Sequence, residues 1–90
     1  MNSKIEEALG ILQEECAEVI VEVSKIRRFG LDELSHHTNL PHRETLVMEV
    51  GDMLALIDIL VDQGVLDTVQ LDIAKQHKIE KLKKWSSIYE

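Results

Sequence analysis

Between Ile5 and Ile26 the apolar residues Ile5, Leu9, Leu12, Cys16, Val19, Val23 and Ile26 follow one another in steps of four and three, with no proline among them. That period lays a stripe along one side of an α-helix and does not suit a strand, whose side chains alternate with a period of two. The first third of the chain is thus committed to one long helix, and the fold must bring other helices to cover its stripe. Ser3 and Glu6 stand at capping-box spacing and Gly30 supplies a stop, so the predicted helix covers about Ser3 to Phe29.

The only proline, Pro41, lies in GLDELSHHTNLPH (30–42), a stretch with the composition of a connecting loop and room for a short helical turn at Leu31 to Leu34. A second helix is predicted from about Arg43 to Asp62, with a seam at Val47, Val50, Leu54, Ile57 and Val61. From Met53 onward, MLALIDILV is apolar nearly all round, and a helix without a wet side has to be covered from several directions. Gly64 interrupts the pattern. Asp67 or Thr68 is placed to cap a third helix, which reaches about Trp85 with Val69, Ile73 and Leu82 on its apolar face.

The expectation is one all-α domain over residues 1–90: three main helices forming a bundle completed by dimerisation, with a tetramer as the larger alternative. Ninety residues bury only a modest core alone, which also favours a partner subunit. A net charge of -7 and three aromatic residues, Phe29, Trp85 and Tyr89, speak against binding nucleic acid polymer. The charge is unevenly spread: Lys75 to Glu90 holds five lysines against two glutamates, and residues 1–74 carry the acid excess. A single cysteine, no apolar signal core and no long apolar run lead to the expectation of a cytoplasmic protein without a membrane anchor.

Four carboxylates stand out. Glu15 and Glu18 lie at i and i+3 on the first helix, and Glu49 and Asp52 at i and i+3 on the second, each pair beside its seam. If the two helices pack together, four negative charges converge, an arrangement that calls for protons or hard cations such as Mg²⁺ or Mn²⁺. An ordinary solvated acidic face is the competing reading. Gly51, next to Asp52, sacrifices helix propensity, which suggests a close approach of another backbone or a ligand.

The order and helical setting of these acids resemble a known family. LQEECAEVI carries the EExxE, and LVMEVGDMLALI the ExxD, of the MazG-like all-α nucleoside triphosphate pyrophosphohydrolases; KIRRFG and the lysine-rich KIEKLKKW are also similar to its small phage and bacterial members. The resemblance implies metal ligation by Glu15, Glu18, Glu49 and Asp52, with Glu14 as the additional first acid. It further implies Mg²⁺-dependent cleavage of a (deoxy)nucleoside triphosphate to monophosphate and pyrophosphate, Mn²⁺ being an acceptable substitute. Glu14 or Glu15 would orient or deprotonate the attacking water. Base selectivity would fall to loop residues 30–42 and to a neighbouring subunit.

Among the remaining polar residues, Lys78 and Lys81 are the candidates for holding polyphosphate, being mid-helix in the Lys75, Lys78, Lys81 row. Arg27 and Arg28 are expected to cap the first helix, Trp85 to anchor packing, Asn39 to serve a turn and Cys16 to be buried. His36, His37 and His42 lack the helical spacing and cysteine partners of a zinc site. A chorismate-mutase-like dimer would need cations where this chain gathers acids, and the non-enzymatic alternative is a helical dimerisation or adaptor module with solvated acidic faces.

Overall fold

The computed structural model describes all residues, 1–90, and contains three helices: α1 (Ser3–Phe29), α2 (His42–Asp62) and α3 (Thr68–Trp85). The N-terminal cap of α1 is Asn2, whose side chain accepts from the Ile5 N–H at 2.8 Å; Ser3, expected as the cap, is already helical. Gly30 ends the helix at φ 94, a left-handed value that a side chain would oppose, and donates its N–H to the Ile26 carbonyl. Asp67 caps α3 by accepting from Gln70 N–H at 3.0 Å.

The loop between α1 and α2 is not helical at Leu31 to Leu34. It doubles back, with Leu34 and Pro41 forming an isolated antiparallel bridge. The His42 and Arg43 N–H groups, which open α2, donate to the Glu33 and Leu31 carbonyls. Thr38 and Thr45 hydroxyls meet at 3.1 Å, and Asn39 takes φ 56 at the loop tip, in keeping with its expected turn role. The hydrogen bonds from α2 and the loop's own bridge tie the segment to the start of α2.

Helices α1 and α2 pack against each other as a hairpin, and theirs is the only extensive contact between elements. Its core is small: Ala8, Leu56 and Leu60 are buried, with Leu9, Leu12 and Leu66 packed against them. The packed faces take only part of the predicted seams, Leu9 and Leu12 among them. Cys16 and Val23 are exposed, and Val47 and Leu54 are also outward, while Glu15, Glu22, His42 and Thr45 occupy positions on the α1–α2 contact. The reason is that α1 and α2 carry apolar residues on more than one side, and the hairpin buries only one of them.

No residue of α3 is buried, and Trp85 is 77% exposed rather than an anchor. The molecule is a plate of 41 × 36 × 14 Å, about one helix thick. No helix is long and apolar enough to cross a membrane.

Candidate metal centre

The hairpin brings three of the four predicted acids together. Glu15, one and two turns beyond the apolar contacts of Leu12 and Ala8 on α1, meets Glu49 and Asp52 of α2, and carboxylate oxygens of the three lie within 4.8 Å of one another. Glu15 and Glu49 are half-buried and Asp52 is exposed. Glu18 lies outside that mutual spacing, yet it is the strongest of the neighbouring charges on Glu49.

Partial burial, followed by the negative charges of Glu18, Asp52, Glu15 and Glu22, holds the Glu49 carboxyl above its ordinary value of 4.5. No lysine or arginine is ion-paired with Glu15, Glu18, Glu49 or Asp52; the chain's ion pairs lie elsewhere, at Lys25–Glu22, Asp32–Arg43, Asp72–Lys75 and Glu80–Lys83. The acids are therefore drawn together by the packing of two helices without a compensating protein cation.

This donor set suits a hard divalent cation. Three carboxylates supply only oxygen ligands, which is the donor chemistry that Mg²⁺ and Mn²⁺ prefer. The exposure of Asp52 leaves one side of the cluster open to a solute. Glu14 is exposed on α1 next to the cluster residue Glu15.

The lysine-rich helix is not brought to this groove within one chain. Lys78 and Lys81 are exposed and make no ion pair with the acids, while Lys75 and Lys83 pair with Asp72 and Glu80 on their own helix. Arg28 lies over the Phe29 ring at 5.1 Å from its centroid, and neither Arg27 nor Arg28 is seen capping a carbonyl through its side chain. Gly51 has nothing within 4 Å of where a Cβ would be, so the close approach its presence suggests is not made inside the chain.

Sequence reasoning missed a second polar centre one turn from Glu18. Glu22 and His42 are buried, 5% and 4% exposed, with Glu22 Oε2 and His42 Nδ1 3.9 Å apart and neither making a hydrogen bond. Glu22 Oε1 accepts from Lys25 Nζ at 3.4 Å, and the His42 ring stacks on Phe29 at 6.1 Å. The available signal was position: Glu22 lies seven residues after Glu15, hence on the same side of α1. His36 and His37 do not join His42 in a metal-ligating group.

No protein-family model, curated protein or solved structure matches this chain.

Proposed function

We propose that this chain is a Mg²⁺-dependent nucleotide pyrophosphohydrolase that cleaves a (deoxy)nucleoside triphosphate to the monophosphate and pyrophosphate, working as a homo-oligomer. The observation that carries the reading is the convergence of Glu15, Glu49 and Asp52 without a protein counter-charge, together with the raised pKa of Glu49. The competing reading is a helical dimerisation or adaptor module with solvated acidic faces, which should show negligible specific uptake of Mn²⁺ or Mg²⁺.

Glu15, Glu49 and Asp52 would hold the cation, with Glu18 at the flank of the cluster. When bound, Mg²⁺ supplies positive charge against phosphate oxygens and acidifies coordinated water. A carboxylate oxygen of Glu14 or Glu15 accepts the proton of the attacking water, and the exposed side of Asp52 leaves the polyphosphate a way in. Lys78 and Lys81 belong to α3, which stands away from the hairpin, so in this proposal they meet the polyphosphate at the cluster of a second copy.

The test is incubation of the purified chain with a panel of nucleoside and deoxynucleoside triphosphates and Mg²⁺, assaying monophosphate and pyrophosphate. Titration with Mn²⁺ establishes metal binding in parallel, and Glu49→Gln should weaken it. If metal is bound and no member of the panel is turned over, the proposal is wrong.

A further inference from the structure

An open groove lined by Lys4, Glu7 and Ile11 of α1 and by Ile59 and Gln63 of α2 fixes which side of each helix belongs to the same face of the hairpin. On α1 the packed direction is marked by Ala8, Glu15 and Glu22, and on α2 by Glu49, Leu56 and Leu60. At about 100° per residue, Glu7, Ile11, Glu14 and Glu18 turn to the groove side of α1, and Asp52 and Ile59 to the groove side of α2. This is the face onto which the acid cluster opens through the exposed Asp52.

The opposite face is of another kind. From Ile5 to Val23 the residues on that side of α1 are Ile5, Leu9, Leu12, Cys16, Val19 and Val23, and from Leu46 to Val61 those of α2 are Leu46, Val50, Met53, Ile57 and Val61. No charged residue interrupts either row. Cys16 and Val23 are exposed and the others half-buried, so the hairpin covers in part the very stripe whose period commits the first third of the chain to a helix. Helix α3 does not finish the task, having no buried residue of its own.

The extent of uncovered surface and its lack of charge identify the occupant. The chain exposes 6988 Å², about 1600 Å² more than a compact monomer of 10.3 kDa, whereas a standard interface takes about 800 Å² from each partner. A charge-free face is also self-complementary. Laying two copies on each other brings no like charges together, although each chain carries -7, because Glu7, Glu14, Glu18 and Asp52 turn to the far side. A strongly acidic or basic partner would find nothing there to pair with.

Resting on the homo-oligomeric reading above, we infer that a second copy of this chain covers the apolar face shared by α1 and α2, giving a four-helix bundle whose two acid clusters open outward on opposite sides. Cys16, midway along α1, then lies inside the contact. Because the acids lie on the other face, association does not require the metal.

Two measurements test the inference. Sedimentation of the full chain in EDTA should give a dimer or a higher multiple. Cys16→Lys should shift that mass to the monomer, whereas Ile11→Lys, at a position on the groove side of the same helix that is 37% exposed, should leave it unchanged. A chain that is monomeric without substitution, or equal effects of the two substitutions, overturns the inference. The second measurement needs no variant: Cys16 of the associated native chain should react with a chromogenic disulfide reagent at least about tenfold more slowly than in urea. A smaller difference in a chain that sediments as a dimer puts the contact on another face and refutes the inference. Association through this face without any triphosphate turnover would retain the interface and refute the hydrolase, and turnover by a monomer would do the reverse.

Discussion

Burial first and neighbouring negative charge second hold the Glu49 carboxyl above its ordinary value, and the consequence can be measured without substrate. Its folded pKa is raised, so the folded chain binds more protons than the unfolded chain just above 4.5, and its contribution to stability falls as pH rises through the raised value. At neutral pH in EDTA the charged form is a net liability. Glu49→Gln should therefore melt about 2–4 °C higher than the unmodified chain under those conditions, as expected for removing a few like-charge contacts in a small domain. Addition of Mg²⁺ should raise the melting temperature of the unmodified chain and move the variant much less. A variant that melts lower in EDTA, or gains as much from Mg²⁺, would show that the acids are not a strained cation site. Leu60 illustrates the opposite kind of residue. At 1% exposure it anchors the small core with Ala8 and Leu56, and Leu60→Ala should cost about 2–4 kcal/mol in urea unfolding.

At the scale of the helices, what could be read from the sequence was their extent, and what could not was which side of each one packs. Gly30, Pro41, Gly64 and Asp67 have local backbone effects, so α1 and α3 fall where those residues dictate and α2 begins one residue earlier than predicted. Phase is a tertiary property. Cys16, Val23, Val47 and Leu54 satisfy helical periodicity as well as the residues actually packed, and no local signal distinguishes a stripe used inside the chain from one left outward. The approach of Glu15 to the Glu49–Asp52 pair was legible from their places beside the apolar seams, though Glu18 stays outside that spacing; Glu22 and His42 were not, since a buried polar residue breaks the pattern used to find buried positions. The position of α3 was equally hidden, and it bears on the lysines. Lys78 and Lys81 are exposed on a helix with no buried residue, so the double change Lys78→Ala, Lys81→Ala should alter the melting temperature by less than about 2 °C. If they contact polyphosphate from a second copy, the same change should raise KM for the triphosphate several-fold. An unchanged KM would remove α3 from the site.

The whole molecule is too open for its length. Its radius of gyration is 15.8 Å, against about 12 Å for a compact chain of this size. Its accessible surface is 6988 Å², whereas a folded monomer of 10.3 kDa exposes about 5400 Å². The excess, about 1600 Å² per chain, would make a dimer interface of about 3200 Å² if it were covered by a second copy, which is the size of an obligate interface. The outward stripe of α2 gives that excess a location: Val47 is 69% and Leu54 52% exposed, and Gly51 between them has open space where a Cβ would be. Gly51 has no Cβ to hold off a second copy's helix, and such an approach would account for a residue that is unfavourable in a helix and touches nothing in its own chain. The chain should therefore sediment at twice its 10.3 kDa mass or a higher multiple, and its melting temperature should rise with protein concentration, as it must when folding and association are coupled. Val47→Lys with Leu54→Lys should lower the sedimenting mass and the melting temperature together, because two charges would have to be buried in the contact. A monomer with a sharp, concentration-independent melt would mean that the hairpin is stable with its second side in water, and the α3 lysines would then have no second copy to serve.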